Sequence, residues 1–181
     1  MQRKDLAPTE YDEYTAYYLG LVLEGRLLEL LEASRLETVT FFEGISPDYH
    51  NYRYAPGKWT IKDVVQHLID VERIFAYRAL RFARGEALAL SGFDVDAYGA
   101  AQRAARRSME DLLAEYSAAR QSTIHLFQSF DEKMLLASGV ASGFRLSVRA
   151  IGFKLVGHDL HHVGVVKERY IHINNMDSIY P

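Results

Sequence analysis

Four long segments of this chain contain no proline and carry apolar residues at helical spacing, about 3.6 residues per turn. They predict helices over residues 10–33, 61–84, 109–130 and 147–170, the last with Ser147 as its N-cap. No alternation of strand and helix patterns accompanies them. Four amphipathic helices of this length predict an all-α fold, a four-helix bundle.

Local signals mark where these helices begin. Thr9, Thr60 and Ser108 each stand three residues before an aspartate, as in a capping box, where the two side chains bond reciprocally to backbone N–H groups. Trp59 directly precedes the second cap and suits the outer hydrophobic position of a helix-start staple. Its first role is therefore expected to be structural.

Three connections separate the predicted helices. Residues 34–59 are expected to be irregular apart from a short helical turn near residues 37–42. Residues 85–107 are too long for a tight helix hairpin, and their segment 93–98 could fold over the end of the bundle as a lid. The remaining expectations are bends at Gly139 and Gly143 in the third connection, residues 131–146, and an extended tail from Ile171.

The composition of the chain excludes several functions. Its 181 residues are most simply one domain that spans residues 1–181. A net charge of −3 gives no basic surface for nucleic acid, and the absence of cysteine excludes disulfides, thiolate zinc sites and a thiol nucleophile. No apolar run is long enough to cross a membrane, and no signal-peptide core follows Met1. We therefore expect a cytoplasmic protein without nucleic-acid or membrane partners.

The fourth predicted helix carries the histidines His158, His161 and His162. Residues four apart lie on one helix face, so His158 and His162 can direct two imidazoles at one divalent metal ion. His161 points about 100° away from His162. Such a pair is a strong signal only with a third ligand, and His67, within the apolar stripe of the second helix, is the candidate. The alternative is that His67 is a core histidine, hydrogen-bonded to a neighbour.

Depth within the bundle determines whether His67 can join the pair. It lies seven residues past Thr60, about 10 Å into its helix, and His162 lies eight residues before Tyr170, about 12 Å from the end of its helix. If the second and fourth helices are antiparallel, all three histidines meet at one level. If they are parallel, His67 misses the midpoint of the pair by roughly 9 Å. The second connection is also long enough for the third helix to run parallel to the second.

Two segments of the chain resemble one family. Residues 57–73, GKWTIKDVVQHLIDVER, and residues 156–164, VGHDLHHVG, resemble the DinB/YfiT-like superfamily of small metalloproteins, and the resemblance extends over residues 53–169. It implies a four-helix bundle of up-down-down-up topology, with antiparallel second and fourth helices, that is usually dimeric. It also implies a three-histidine divalent metal site, whose ligands by position are His67, His158 and His162.

The chain departs from many of these relatives after the last histidine. They have a glutamine there, whereas Val165 and Val166 follow Gly164 in this chain. If that glutamine helps to bind substrate or water in the relatives, this chain uses another residue for that role or lacks the role. Family members with known activity include thiol-S-transferases that use bacillithiol or related thiols and a mycothiol-dependent isomerase, and others are described as metal-dependent hydrolases.

The resemblance therefore implies a metal-dependent enzyme acting on a small molecule, either a thiol-S-transferase or a hydrolase. Three neutral imidazoles leave open positions on Zn²⁺, Ni²⁺ or Fe²⁺ for activated water or for a low-molecular-weight thiol supplied from outside. Carboxylates that orient the imidazoles are expected at Asp70 or Asp159, because Asp63 is committed to its cap. Two alternatives stay open: a non-enzymatic metal-binding sensor or interaction module, and a bundle whose histidines are only core polar residues.

The fourth helix also predicts a homodimer. Its apolar residues spread over more than one face, and large exposed apolar patches are uncommon on soluble monomers. Gly157 and Gly164 lie seven residues apart on one side, where two backbones could approach across a twofold axis. The alternative is that the connection 34–59, which is rich in aromatic residues, covers the same surface within one chain.

Overall fold

The computed structural model describes residues 1–171, so the tail predicted to be extended lies beyond the described residues except for Ile171. In this part of the chain, four long helices form a bundle: α2 (Leu27–Glu43), α3 (Ile61–Ala83), α5 (Met109–Gln128) and α7 (Val148–Val166). Helices α2 and α3 each pack against both α5 and α7. Shorter helices are α1 (Glu13–Leu21), α4 (Val95–Ala101) and α6 (Glu132–Leu136), and a π-helical turn, Lys167–Ile171, follows α7. The predicted four-helix bundle is confirmed.

Residue pairs between the helices show their directions. His67 in α3 lies beside His162 in α7, whereas Phe75, later in α3, lies beside Lys154, earlier in α7, so these two helices are antiparallel. Gln66 pairs with Arg107, two residues before α5, and Glu72 pairs with Arg120, so α3 and α5 run in the same direction. Leu27 contacts Gly152 and Ser34 pairs with Asp159, so α2 and α7 also run in the same direction. The bundle therefore has the expected up-down-down-up topology.

A buried polar layer crosses the middle of the bundle, with residues from all four long helices. The guanidinium of Arg120 donates to both carboxylate oxygens of Glu72, at 2.9 and 2.8 Å, and lies 2.9 Å from the carboxylate of Asp159. Asp159 also accepts from the hydroxyls of Ser34, at 2.6 Å, and Tyr116, at 2.7 Å. Apolar clusters fill the bundle on both sides of this layer.

Three predicted helix starts are confirmed. Thr60 and Asp63 form the reciprocal capping box of α3, at 3.0 and 2.8 Å, and the hydroxyls of Ser108 and Ser147 accept from backbone N–H groups at the starts of α5 and α7. The prediction for Thr9 was wrong, because α1 begins after Asp12, whose carboxylate accepts from the backbone N–H of Thr15 at 2.9 Å.

The first predicted helix, residues 10–33, was also wrong in its bounds. The chain breaks between α1 and α2, and α2 then continues to Glu43, so the turn expected near residues 37–42 belongs to a full helix. Contacts with the start of the chain stabilise the break, since Arg3 forms an ion pair with Glu24 at 2.6 Å and the backbone N–H of Leu27 donates to Met1.

A β-hairpin occupies part of the connection 131–146. Strands β1 (Ser138–Ala141) and β2 (Phe144–Ser147) pair in antiparallel register, with Ser138 opposite Ser147. The turn residues Ser142 and Gly143 both have positive φ, 55° and 85°, as the tightest hairpin turns require. The bend at Gly143 is thus confirmed. The bend expected at Gly139 was wrong, because Gly139 lies within β1, so close to the ring of Phe82 that a side chain would overlap it.

Helix α1 packs on the Gly157 end of the α7 face that predicted a dimer. A methyl group at Gly157 would lie 2.7 Å from the carbonyl carbon of Tyr18 and closer still to its oxygen, so this glycine permits close packing within one chain. The rings of Tyr52 and Tyr54, from the connection 34–59, pack on Tyr170 just beyond α7. Packing within one chain therefore accounts for Gly157, Gly164 stays exposed, and the homodimer stays a prediction. No helix within residues 1–171 is both long and apolar enough to cross a membrane.

Candidate metal centre

Three histidines from two antiparallel helices converge. The Nε2 atom of His158 lies 3.1 Å from the Nε2 atoms of both His67 and His162. The potential ligand atoms of all three lie within 4.8 Å of one another. Nitrogens that share one ion at the usual zinc–nitrogen distance of about 2.0–2.1 Å stand roughly 3.0–3.4 Å apart. The spacing around His158 fits a single divalent ion. His67 lies at the same depth in the bundle as His158 and His162, as predicted for antiparallel helices.

Burial keeps these three imidazoles neutral. It lowers the pKa of His67 to about 4. Burial first, and then the neighbouring imidazoles, lower the pKa of His158 and His162 well below the ordinary value of 6.5. A neutral imidazole has a free lone pair on one nitrogen, which is the form that binds a metal. The donor set and its protonation state therefore both suit a divalent cation.

The other histidines of the described residues lie outside this cluster. His161 points away from it, as predicted, and its Nδ1 atom lies 2.9 Å from the hydroxyl of Tyr17. His125 is exposed and contacts Gln128, as expected for an ordinary surface residue. His161 still borders the cavity described below, so it provides a neighbouring imidazole that is not part of the candidate ligand set.

The carboxylates expected to orient the imidazoles bond elsewhere. Asp159 points into the polar layer, to Ser34, Tyr116 and Arg120, although it adjoins His158 in the sequence. Asp70 accepts from the side-chain amide of Gln66 at 3.0 Å. Successive helical residues diverge by about 100°, which turns Asp159 away from His158 and towards Ser34 of α2 and Tyr116 of α5. The sequence prediction for these two carboxylates was therefore wrong.

Aromatic side chains shield the histidine cluster. The ring of Trp59 packs on the ring of His67 with centroids 4.7 Å apart, and that of Tyr18 packs on His158 at 5.6 Å. Gly99 of α4 lies so close to the indole of Trp59 that an added methyl group would be 2.7 Å from its Nε1 atom. The sequence predicted a structural role for Trp59, and the contact of Trp59 with His67 was not predicted. Its position on the helix-start segment that precedes His67 was the available signal.

A cavity of about 300 Å³ adjoins the three histidines. Its apolar wall includes Val71 and Phe75 of α3 and the hairpin residues Phe144 and Leu146. Phe93 and Val95 also line it, so part of the segment 93–98, which was predicted to form a lid over the end of the bundle, borders the cavity. Larger grooves lie elsewhere on the described surface, but their lining contains no histidine. The cavity beside the cluster is therefore the candidate substrate site.

Charged residues of this cavity were not identified from the sequence. Lys154 lies one helical turn before His158, and Arg78 lies eleven residues after His67, which is about three turns and so the same face of α3. Both are buried. The sequence contained a signal for both residues, because Lys154 and Arg78 each interrupt an apolar helix face that also carries a candidate metal ligand. Val165 and Val166, which stand where many relatives have glutamine, are not among the lining residues.

Comparisons with known proteins agree with this geometry. Residues 30–166, more than half of the chain, match the family model of the DinB superfamily. No curated protein matches the chain. One similar solved structure is YfiT from Bacillus subtilis, described as "a probable metal-dependent hydrolase with an unusual four-helix bundle topology". It has a TM-score of 0.73 and 17% identity, over 81% of this chain and 85% of that one.

A second similar structure is a DinB-like protein from Bacillus subtilis, YjoA. Its TM-score is 0.58 at 17% identity, over 87% of this chain and 96% of that one. At such identities the likeness to solved structures establishes the fold alone, whereas the family model matches the sequence itself. The chain therefore belongs to the DinB superfamily.

Proposed function

We propose that this protein is a metal-dependent enzyme in which His67, His158 and His162 hold one divalent ion, Zn²⁺, Ni²⁺ or Fe²⁺, beside a small-molecule site. The observation that carries the proposal is the convergence of three neutral imidazoles at the wall of a 300 Å³ cavity. A merely structural histidine cluster would not need an adjoining cavity. The description of YfiT as a probable metal-dependent hydrolase supports the same class.

The chemistry follows from what the site residues hold in place. A bound divalent ion supplies a Lewis acid that favours the deprotonated form of water or of a thiol beside it. His67, His158 and His162 would hold such an ion at the wall of the cavity, within reach of a bound substrate. Trp59 and Tyr18 limit the access of bulk water to the imidazoles they pack on. Because the chain has no cysteine, a thiol nucleophile has to come from a low-molecular-weight thiol.

Two reactions fit this site, namely transfer of a substrate group to an external thiol and hydrolysis. A non-enzymatic metal sensor or interaction module is the alternative. A panel of electrophiles, each tested with several low-molecular-weight thiols and without any thiol, separates the three. Turnover that requires a thiol and stops on chelation supports the transferase, and turnover without a thiol supports the hydrolase. Stoichiometric metal without turnover across the panel supports the sensor or interaction module.

Metal analysis tests the ligand assignment directly. Protein purified without a histidine tag should contain close to one divalent ion per chain. His67→Ala should lose high-affinity binding because it removes one of three ligands, whereas His161→Ala should keep it because that imidazole points to Tyr17. His161→Ala is a matched control on the same helix as two of the ligands. Equal loss in both variants, or a parent protein without metal, would contradict the assignment.

The cytoplasmic location and the homodimer also stay proposals. Exposed apolar side chains near α1 and α2, such as Leu23 and Leu36, provide a surface that a second copy could cover. Cell fractionation tests the location.

A further inference from the structure

Two cationic side chains lie buried in the candidate substrate cavity. Lys154 is 6% exposed and Arg78 is 4% exposed, and both line the cavity with the three histidines. They also share a neighbour: the Nζ atom of Lys154 lies 4.7 Å and the Cζ atom of Arg78 lies 4.8 Å from the centroid of the Phe75 ring. The cavity thus has a cationic region next to an aromatic one.

Both cations have neutral hydrogen-bond acceptors. Lys154 donates to the hydroxyl of Thr15 at 3.2 Å, and Arg78 donates to the carbonyl oxygen of Ser91 at 3.2 Å and to the hydroxyl of Ser142 at 2.8 Å. Within residues 1–171, neither of them forms an ion pair. An uncompensated charge is costly to bury, so two in one cavity require an explanation.

The same fold treats another buried cation differently. Arg120 is fully buried, and it contacts the carboxylates of both Glu72 and Asp159. The bundle interior thus provides two acidic partners for Arg120. Lys154 and Arg78 form no such ion pair within residues 1–171, and both face a cavity that an anion from outside the chain could enter.

One acidic side chain lines the cavity within the described residues, and it is committed elsewhere. Asp12 is the N-cap of α1, where its carboxylate accepts from the backbone N–H of Thr15. Burial and the charge of Arg78 lower the pKa of Lys154, to about 8, although Asp12 opposes this shift. The charges of Lys154 and Arg78 thus repel each other, and an anion bound by both would relieve the repulsion.

We propose that Lys154 and Arg78 bind a carboxylate of the substrate, whose apolar body packs on Phe75 and whose reacting group lies at the three histidines. The volume of about 300 Å³ is at the low end for ligand sites, which suits a small aromatic or aliphatic acid. The position of the reacting group rests on the proposed function, whereas the carboxylate site does not, because its cations are separate from the candidate metal ligands.

The test compares a carboxylate with a neutral molecule of the same shape. Phenylacetate and phenylacetamide are titrated calorimetrically into the chelated protein and into the zinc-loaded protein. Phenylacetate should bind at least about 10-fold more tightly than the amide, because hydrogen bonds to a charged group are the stronger ones. The preference should persist in the chelated protein. A preference that appears only with zinc would assign the carboxylate to the metal and overturn the proposal.

Variants identify the residues responsible. Lys154→Met, which keeps the length of the side chain without its charge, should remove most of the preference for the acid and leave amide binding unchanged, and Lys154→Arg should restore it in part. Lys62→Met is the matched control, since Lys62 is also a buried lysine of the bundle but does not line the cavity. Circular dichroism and melting curves establish that each variant is folded.

The outcomes also separate this inference from the proposed function. Equal binding of acid and amide by the parent protein, or an equal loss in Lys154→Met and Lys62→Met, would refute the carboxylate site. Neither result depends on metal content. Conversely, a parent protein without metal would contradict the proposed function. The carboxylate site would still be supported if the chelated protein preferred phenylacetate.

Discussion

Gly157 and Gly164 offer a matched test of how α1 packs on α7. Both are in the same helix, and an alanine at either position gains helix propensity of about 1 kcal/mol over glycine. Their surroundings differ. A methyl group at Gly164 meets no other atom within 4 Å, whereas one at Gly157 would overlap the backbone carbonyl of Tyr18. The same substitution should therefore have opposite effects on the free energy of unfolding.

The structure gives the size of each effect. At Gly157 the added carbon would lie 2.7 Å from the Tyr18 carbonyl carbon, about 1 Å inside an ordinary carbon–carbon contact. The obstacle is backbone, so α1 has to shift. Overpacking of this kind costs about 1–3 kcal/mol or more, which exceeds the propensity gain at its upper end, and we expect a net loss of about 1–2 kcal/mol for Gly157→Ala. Gly164→Ala should gain about 0.5–1 kcal/mol.

Urea unfolding followed by circular dichroism measures both variants against the parent in chelated buffer, so that metal binding does not contribute. The two variants should differ by about 1.5–3 kcal/mol in the free energy of unfolding, or by roughly 3–12 °C in melting temperature for a chain of this size. Gly157→Ala should also raise the exposure of the His158 side of the cavity, since Tyr18 packs on that ring. Equal stabilisation by both substitutions would refute the close packing of α1 on Gly157.

Three further predictions address charge and assembly. The metal-free protein should lose stability as pH falls from about 6.5 towards 4.5, because the buried histidines have lowered pKa values in the folded chain and the unfolded chain binds more protons in that window. His67→Ala should reduce the dependence of the free energy of unfolding, measured in urea, on pH. An unchanged pH dependence in this variant would contradict the prediction. Glu10, whose folded pKa is about 2, contributes stability that is lost only below about 4.5, so it does not confuse the measurement. Arg120→Met should lower the free energy of unfolding by about 3–5 kcal/mol, because it leaves Glu72 and Asp159 as buried carboxylates without their cation; a loss below 1 kcal/mol in urea unfolding would argue against the buried pairing. Light scattering at micromolar concentration should give twice the single-chain mass of 20.7 kDa if the homodimer forms, and the single-chain mass would favour a monomer.

Much of the candidate site could be predicted because it depends on helix periodicity. The spacing of His158 and His162 places both on one face of α7, and the distance of His67 from the Thr60 cap places it at the same depth in an antiparallel neighbour. The same helical period predicted that His161 points away from the other two histidines of α7. These positions depend on the period of one helix or on whether two helices are parallel or antiparallel. A four-helix bundle allows few combinations of helix direction.

Features that depend on contacts distant in sequence could not be predicted in this way. The break between α1 and α2 is stabilised by Arg3 and Met1, whose proximity to Glu24 and Leu27 is a property of the folded chain. The orientation of Asp159 into the polar layer depends on Arg120, which belongs to another helix. The burial of Lys154 likewise results from the helices and hairpin that surround it.

The contact between Trp59 and His67 makes the candidate metal site optically observable. The chain has one tryptophan, and its indole lies 4.7 Å from the imidazole that would bind the ion, so its emission reports from that site alone. An ion with a partly filled d shell, such as Ni²⁺, quenches a nearby excited indole, whereas Zn²⁺ has a filled shell and does not. Loading, exchange and loss of the ion could therefore be followed in real time by intrinsic fluorescence, without a label or a known substrate.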